Sequence, residues 1–349
     1  MKRIIKTVVV IVLTLSLLMI TGCSKAKDTS MLSSWNDDAP AVNELTTYMA
    51  DITDKNSENF IPVEDRIAVF DLDGTLYCEK QPIYAIWLTF VKRALNDPNY
   101  QAPDDVRAVA EAIAALDQNS SIPDTMEKDE AVAEAKAFAG MTLKEYRKFV
   151  KDFLKEDAAG FIGMKRADAY YKPMLEIIYY LKANDFTVYI CSGTDRFWVR
   201  TAIEGVIDIP EEHVIGMDTT LVATNQGDNI DGLDYVYNDK DKVVRGNRLI
   251  IKNVKMNKVC QLAQEIGRQP VLAFGNSSGD ASMCNYVVKK NPYKSMAFMV
   301  IADDTKREYG NQEKAEKMIQ TCKENGWNTI SMKKDWKTIY GKGVSKAKK

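Results

Sequence analysis

Histidine is nearly absent: one residue, His213, in a chain of 349. A histidine-built metal centre is therefore excluded, and a serine nucleophile would have a single candidate base. None of the six cysteines pairs with another at C-x-x-C spacing, which removes zinc ribbons and dithiol redox motifs. Neither charge sign dominates. Lys and Arg total 47, Asp and Glu 49, so a net charge of -2 offers no attraction to nucleic acid. Long apolar runs are missing too. Thr7–Ile20 is an apolar run of 14 residues, short of the roughly 20 that a spanning helix needs. What remains is 46% hydrophobic and 28% charged, the composition of a packed globular protein. The length allows one large domain or two ordinary ones, and no repeat or strong linker divides it.

The first residues read as a targeting segment. Lys2, Arg3 and Lys6 precede the apolar run, and Ile20-Thr21-Gly22-Cys23 closes it. That ending resembles a bacterial lipobox, whose cysteine is lipidated and becomes the mature N-terminus. The expectation is a signal peptide over residues 1–23 and an extracytoplasmic protein held to the membrane by lipid on Cys23. Residues 24–60 are expected as tether and lead-in, with Lys25–Ser34 the polar tether. The basic stretch 341–349 is expected as a solvated tail. Removing Cys23 leaves five cysteines, an odd number that forbids a complete intrachain disulfide framework.

Four short, apolar segments rich in β-branched or aromatic residues predict buried strands: Arg66–Phe70, Phe186–Cys191, Pro270–Phe274 and Ser295–Ile301. Helical patterns at Lys172–Lys182 and Asn257–Ile266 lead into the second and third. The alternation predicts an α/β protein with a parallel sheet flanked by helices. Between the first two strands, Asp104–Leu116, Asp129–Phe138 and Leu143–Leu154 read as an inserted helical unit. Thr142 and Glu145 form a capping box for the last of these. From Gly205 to Lys252 the pattern turns polar, and hairpins or loops are expected, with apolar pieces at Leu233–Tyr237 and Arg248–Ile251.

Each strand end carries polar residues. Asp71-Leu72-Asp73-Gly74-Thr75 follows the first strand, in the crevice where α/β sheets bind ligands. Two carboxylates at this spacing can hold a cation and divide attack from proton transfer. An EF-hand is excluded, because Gly stands fourth and Pro82 twelfth in the run. Cys191-Ser192-Gly193-Thr194 ends the second strand, where the Ser192 hydroxyl and nearby N–H groups, that of Gly193 included, can hold phosphate oxygens. Ser192 does not lie in a G-x-S-x-G elbow, and His213 reads as structural. Gly275-Asn276-Ser277-Ser278-Gly279-Asp280 ends the third strand with amide and carboxylate oxygens. Lys255 and Lys258 begin the preceding helix, and either can neutralise a phosphate or a carboxylate.

Together these stations resemble the D-x-D-x-T, Ser/Thr, Lys and acidic motifs of the haloacid dehalogenase superfamily, in order, over about Arg66–Ile301. The inserted helices are similar to the cap of its phosphoserine-phosphatase-like branch. The resemblance implies a Rossmann-like core over 61–78 and 172–340 with a helical cap over 79–171. It also implies a Mg²⁺-dependent phosphomonoesterase. Asp71 would be the nucleophile that forms an aspartyl-phosphate, and Asp73 the general acid and base. Ser192 and Gly193 would bind phosphoryl oxygens, as would Lys258, with Lys255 its rival. The metal would sit among Asp71, Asp73, Asn276 and Asp280.

One position departs from the pattern: Asn276 stands where the acidic motif usually opens with Asp. A unit charge pair at 4 Å is worth about 4 kcal/mol at an effective dielectric of 20, so metal affinity is affected. A catalytically weakened lipoprotein that binds a solute or a surface partner is the alternative this departure supports. A cap of this size favours small esters over phosphoproteins or nucleic acid. Glu79 is the candidate for a substrate ammonium, though Lys80 takes the place where that branch has its Glu. Phosphoserine and amino-alcohol phosphates both remain open, since Tyr77, Glu79, Tyr84 and Trp87 could cradle a cation.

Overall fold

The computed structural model describes residues 29–117, 120–227 and 230–347. Cys23 and the apolar run Thr7–Ile20 lie outside the described residues. Strands run in chain order as β1 (Ile67–Phe70), β2 (Phe161–Ile162), β3 (Thr187–Asp195), β4 (Val214–Ala223) and β5 (Val243–Ile251), then β6 (Leu272–Gly275), β7 (Met296–Ile301), β8 (Asn328–Ser331) and β9 (Ser345–Lys346). Seven of them form one sheet in the order β5-β4-β3-β1-β6-β7-β8. All its pairs are parallel except β4 with β5. The α/β expectation therefore holds: a mostly parallel sheet with helices on both faces.

Why both faces are covered follows from the pleat, which sends alternate side chains to opposite sides. Ala68, Phe70, Ile190, Phe274 and Phe298 join one core cluster, while Val69, Cys191, Ala273, Ala297 and Met299 join the other. On the first face, Phe70 stacks on Phe274 with centroids 4.3 Å apart, and Phe274 on Phe298 at 5.1 Å. Each such pair adds about 0.5–1.5 kcal/mol beyond its burial. Helices Pro40–Thr53 and Lys172–Ala183 contribute Tyr48, Met49, Ile177 and Ile178 to that cluster. Helices Met256–Glu265, Ala281–Val288 and Gln312–Asn325 contribute Leu262, Met283, Val287 and Cys322 to the other.

Between β1 and β3 lie helices Ala85–Val91, Asp104–Ala114, Met126–Ala137 and Leu143–Leu154. The capping box forms as the sequence predicts: Glu145 N–H donates to Thr142 Oγ1 at 3.2 Å, and Thr142 N–H to Glu145 Oε2 at 2.8 Å. This inserted unit is tied to the helix Arg196–Ile203 that follows β3 and to β5 of the sheet. Trp198 Nε1 donates to Thr89 Oγ1 at 2.9 Å, and Arg245 N–H to the Met141 carbonyl at 2.8 Å.

Two expectations are corrected. The tether does not extend to Ser34: Leu32, Ser34 and Trp35 are buried, and Ser34 donates from N and Oγ to Glu176 at 2.9 and 2.7 Å. A buried carboxylate that needs donors holds this stretch in place. The basic tail is not free as far as Ala347. β9 pairs with β2, and Lys346 Nζ donates to the Thr305 carbonyl at 2.9 Å. The region before Lys252 bears out the hairpin expectation: β4 and β5, strands of 10 and 9 residues, are consecutive in the chain and pair antiparallel. Leu233–Tyr237 is not a strand, and Leu233 is 94% exposed.

Candidate active site

β1, β3 and β6 lie side by side, so their C-terminal ends deliver Asp71, Ser192 and Asn276 to one place. After β1 the chain turns sharply. The N–H groups of Leu76 and Tyr77 both donate to the Leu72 carbonyl, at 2.8 and 2.9 Å. Gly74 has φ +80, and a Cβ there would lie 1.9 Å from Asn276 Nδ2, so only glycine fits. A Cβ on Gly275 would lie 2.6 Å from that of Asp280, which lets the third loop fold tightly against its own carboxylate.

Lys258 is the centre of the arrangement. Only 1% exposed, its Nζ donates to Asp71 Oδ1 at 2.6 Å, Asp280 Oδ1 at 2.7 Å and the Cys191 carbonyl at 2.6 Å. All three ammonium protons are thereby used. Lys255 is exposed, and its N–H donates to the Gly279 carbonyl at 2.7 Å; Lys258, not Lys255, is the lysine that touches Asp71. Asp280 Oδ2 accepts from the N–H groups of Asn276 and Ser277, each at 3.0 Å. Asp280 thus orders its own loop while it orients Lys258.

The electrostatics follow from burial. Burial pushes the Asp71 carboxyl up, Asp280's charge pushes further, and Lys258 opposes both. Burial would lower the Lys258 ammonium, but Asp280 and Asp71 outweigh it and raise it, so the lysine stays charged. Asp73 is raised to about 6, by burial first; a hydrogen bond from Thr194 opposes this and the charge of Glu79 adds to it. Thr194 Oγ1 donates to Asp73 Oδ2 at 2.7 Å, while Asp73 Oδ1 is buried with no hydrogen-bond partner among the described residues. A carboxyl in this range can both donate and accept a proton near neutral pH.

Ser192 is fully buried; its Oγ accepts from Thr194 N–H at 3.1 Å, and Gly193 lies beside Val254. Glu79 is half-buried and accepts from Asn276 Nδ2 at 3.3 Å. The aromatic cradle does not assemble. Tyr77 is buried and donates its hydroxyl proton to the Arg166 carbonyl at 2.7 Å, and Trp87 is 1% exposed. Both serve the core; Tyr84 remains near Glu79, whose charge raises its phenol well above the usual range. His213 stacks on Tyr189 at 4.3 Å. Ser277 stands in a Gly-x-Ser-x-Gly run but accepts from Gly279 N–H at 3.2 Å, a turn contact rather than a nucleophile's bond to a base.

Thr194 and Asn253 were not assigned roles from sequence. Thr194 could have been, since it stands two residues after Ser192. Asn253, whose Nδ2 donates to the Ser192 carbonyl at 3.0 Å, lies in a polar run with no periodicity to single it out.

Among the described residues no three His, Cys, Asp or Glu side chains gather at metal-binding geometry. The donor set still suits a hard divalent cation. It consists of carboxylate, amide and carbonyl oxygens: Asp71 and Asp280 share Lys258, Asp73 is held by Thr194, and Glu79 accepts from Asn276. Asp73 Oδ1 is left as a free acceptor toward this donor set, and the Asp71 carboxyl is raised by burial first and by the charge of Asp280 second.

With this geometry in hand, residues 68–284 match the model of the haloacid dehalogenase-like hydrolases. Among curated proteins no sequence matches the chain. Solved structures are similar at low identity. A conserved, functionally unknown protein from Anaerococcus prevotii is 13% identical over 83% of this chain and 91% of its own, with a TM-score of 0.49. Cytosolic 5'-nucleotidase IIIB bound to cytidine is 12% identical over 87% and 90%, TM-score 0.48. A phosphoserine phosphohydrolase-like protein from Francisella tularensis is 14% identical over 72% and 92%, TM-score 0.40.

Proposed function

The chain belongs to the haloacid dehalogenase-like hydrolases, and from that premise we propose that it hydrolyses small phosphate monoesters through an aspartyl-phosphate. The observation that carries this reading is Lys258, whose ammonium bridges Asp71 and Asp280 while Asp73 stands alongside in the grip of Thr194. Asp71 attacks phosphorus and the ester P–O bond breaks. The departing alkoxide takes its proton from Asp73. Water then gives a proton to Asp73 and attacks the aspartyl-phosphate, releasing phosphate and restoring Asp71. Lys258 offsets the charge of the nucleophile throughout, and the N–H groups at Ser192–Gly193 face the phosphoryl oxygens.

Mg²⁺ would be held by Asp71, the Asp73 carbonyl, Asn276 and Asp280, and would shield the charge of the phosphoryl group. Glu79 beside Asp73 favours substrates whose alcohol carries an ammonium. The helical insertion acts as a lid that excludes bulky chains. Cys23 carries lipid and holds the protein at an extracytoplasmic membrane surface. Among the described residues no helix is long and apolar enough to span a membrane.

The deciding experiment is hydrolysis of a chromogenic phosphomonoester by wild type and Asp71→Asn, with and without Mg²⁺. Activity should require the cation, and the variant should fall by at least about a thousandfold. A folded Asp71→Asn protein with near-normal turnover sinks the mechanism. The anchor is tested separately: Cys23→Ser should move the protein from the membrane to the soluble fraction.

A further inference from the structure

We propose that the basic surface around the Trp35–Trp336 junction docks on the anionic headgroups of a bilayer and turns the edge of the sheet that bears Asp71 toward the membrane. The surface acts together with the lipid on Cys23, and the inference rests on that anchor in the intact protein.

The junction fastens the N-terminal lead-in to the C-terminal segment. Trp35 and Trp336 are 2% and 1% exposed, with ring centroids 6.0 Å apart. Asn36 N–H donates to the Asp335 carbonyl at 2.7 Å, and Lys337 N–H to the Ser34 carbonyl at 2.8 Å. Glu176 accepts from Ser33 Oγ at 3.1 Å and from Ser34 N–H at 2.9 Å. From Leu32 onward the chain therefore belongs to the body of the protein. Leu32 stands nine residues after Cys23, and nine residues reach at most about 32 Å. That is shorter than the roughly 50 Å breadth of a compact chain of this length. A lipid on Cys23 thus keeps the junction near the bilayer, and the opposite face of the protein cannot be the one that meets it.

The exposed charge around the junction is mostly positive. Lys333, Lys334 and Lys337 are exposed on the segment that carries Trp336, and Lys172, also exposed, donates its N–H to the Ile339 carbonyl at 2.8 Å. The exposed acids beside them are Asp37 and Asp38, and Asp37 is held by Lys337 Nζ at 2.6 Å. The neighbouring carboxylates face inward. Asp303 accepts from Ser331 Oγ and Lys333 N–H, Asp335 from Ser331 N–H, and Asp304 pairs with Arg307. Lys172, Lys333 and Lys334 make no ion pair among the described residues, so their ammonium groups are open to an external anion. Each lysine close to an anionic leaflet raises partitioning about fivefold, over a range of about 10 Å at 0.1 M salt. The short tether brings the surface within that range.

The same surface borders the catalytic edge. β8 is parallel to β7, and β7 to β6, so Lys333 and Lys334 follow β8 at the edge where β1 and β6 deliver Asp71 and Asn276. Tyr171, next to Lys172, donates its N–H to the Leu76 carbonyl at 2.8 Å, within the loop that begins at Asp71. Docking of the lysines therefore also sets which edge of the sheet faces the lipid.

The test places the full-length chain on vesicles of phosphatidylcholine alone and of an equal mixture with phosphatidylglycerol, and follows acetylation of each lysine by mass spectrometry. At low salt, Lys172, Lys333 and Lys334 should be protected about fivefold or more on the anionic vesicles relative to the neutral ones. Salt of about 0.5 M should erase the difference. Lys289 and Lys290, exposed just before β7 at the opposite edge, should label equally on both. Equal labelling of the junction lysines on the two vesicles, or equal protection of Lys289 and Lys290, overturns the proposal. A second measurement removes the lipid. Binding of the Cys23→Ser chain to the anionic vesicles should fall about tenfold or more when Lys333→Gln, Lys334→Gln and Lys337→Gln are combined. Unchanged binding overturns the proposal as well. If the intact mass of the native protein shows no lipid on Cys23, the anchor reading fails instead, and the lysine surface is decided by this second measurement alone.

Discussion

Asn276 stands where the superfamily pattern has an aspartate, and the residue beside it accounts for the exchange. Its Nδ2 donates to Glu79 Oε2 at 3.3 Å, so the amide satisfies a carboxylate that an aspartate would repel. Asn276→Asp turns one hydrogen bond into a like-charge contact, in a loop where Asp73 and Asp280 are already negative. Without divalent cation the variant should lose about 1–3 kcal/mol of stability. Mg²⁺ should restore it, and half-maximal activity should come at a lower Mg²⁺ concentration than in wild type. Thermal melting in chelator and in a Mg²⁺ series measures both effects. An identical Mg²⁺ response in the two proteins would show that position 276 is remote from the cation.

β5 does more than extend the sheet. Its Arg245 is 1% exposed and joins Glu134 of helix Met126–Ala137 to Asp195 at the end of β3. The guanidinium also lies over the Tyr146 ring, 4.0 Å from its centroid. Asp195 in turn caps the next helix, accepting from Phe197 and Trp198 N–H at 2.9 and 3.0 Å. One side chain thus sets the inserted helices against the strand that carries Ser192. Removing it leaves two buried carboxylates uncompensated. Arg245→Met should cost about 3–5 kcal/mol. It should also speed hydrogen exchange in Met126–Leu154 more than in β6 and β7, and exchange that rises equally everywhere would contradict the local role. The same strand marks where sequence reading stopped. The four apolar runs at Arg66, Phe186, Pro270 and Ser295 announced β1, β3, β6 and β7, because strands covered on both faces must be continuously apolar. β5 borders only β4 and reads Val-Val-Arg-Gly-Asn-Arg-Leu-Ile-Ile, so its edge position leaves only the apolar end Arg248–Ile251 visible to hydropathy. Asp71, Asp73, Ser192 and Asn276 were legible because each ends a visible strand. Asn253 and Arg245 were not, because tertiary pairing alone gives them meaning.

At the scale of the whole molecule, Glu308 gathers segments from across the chain. It is 3% exposed, and Tyr340 donates its hydroxyl proton to it, as does the Cys78 thiol at 3.8 Å. Tyr309 N–H donates at 2.8 Å, and Phe161 packs on both Tyr309 and Tyr340. The loop after β1, the end of the inserted unit and the C-terminal segment therefore meet at one carboxyl. Burial raises it from 4.5 to about 7, opposed by the hydrogen bonds it accepts and helped by Glu79. A carboxyl raised on folding binds more protons folded than unfolded, so its contribution is full below the unfolded value and is lost as pH climbs through the folded one. Stability should thus fall between about pH 4.5 and 7.5, by about 3 kcal/mol from this group. Glu308→Gln keeps the acceptor for Tyr340 and cannot ionise. Its denaturant-derived stability should change less with pH than that of wild type across that window, and the two curves should converge at the acid end. Parallel curves would mean that Glu308 does not titrate there, and that the junction is held by its aromatic packing alone.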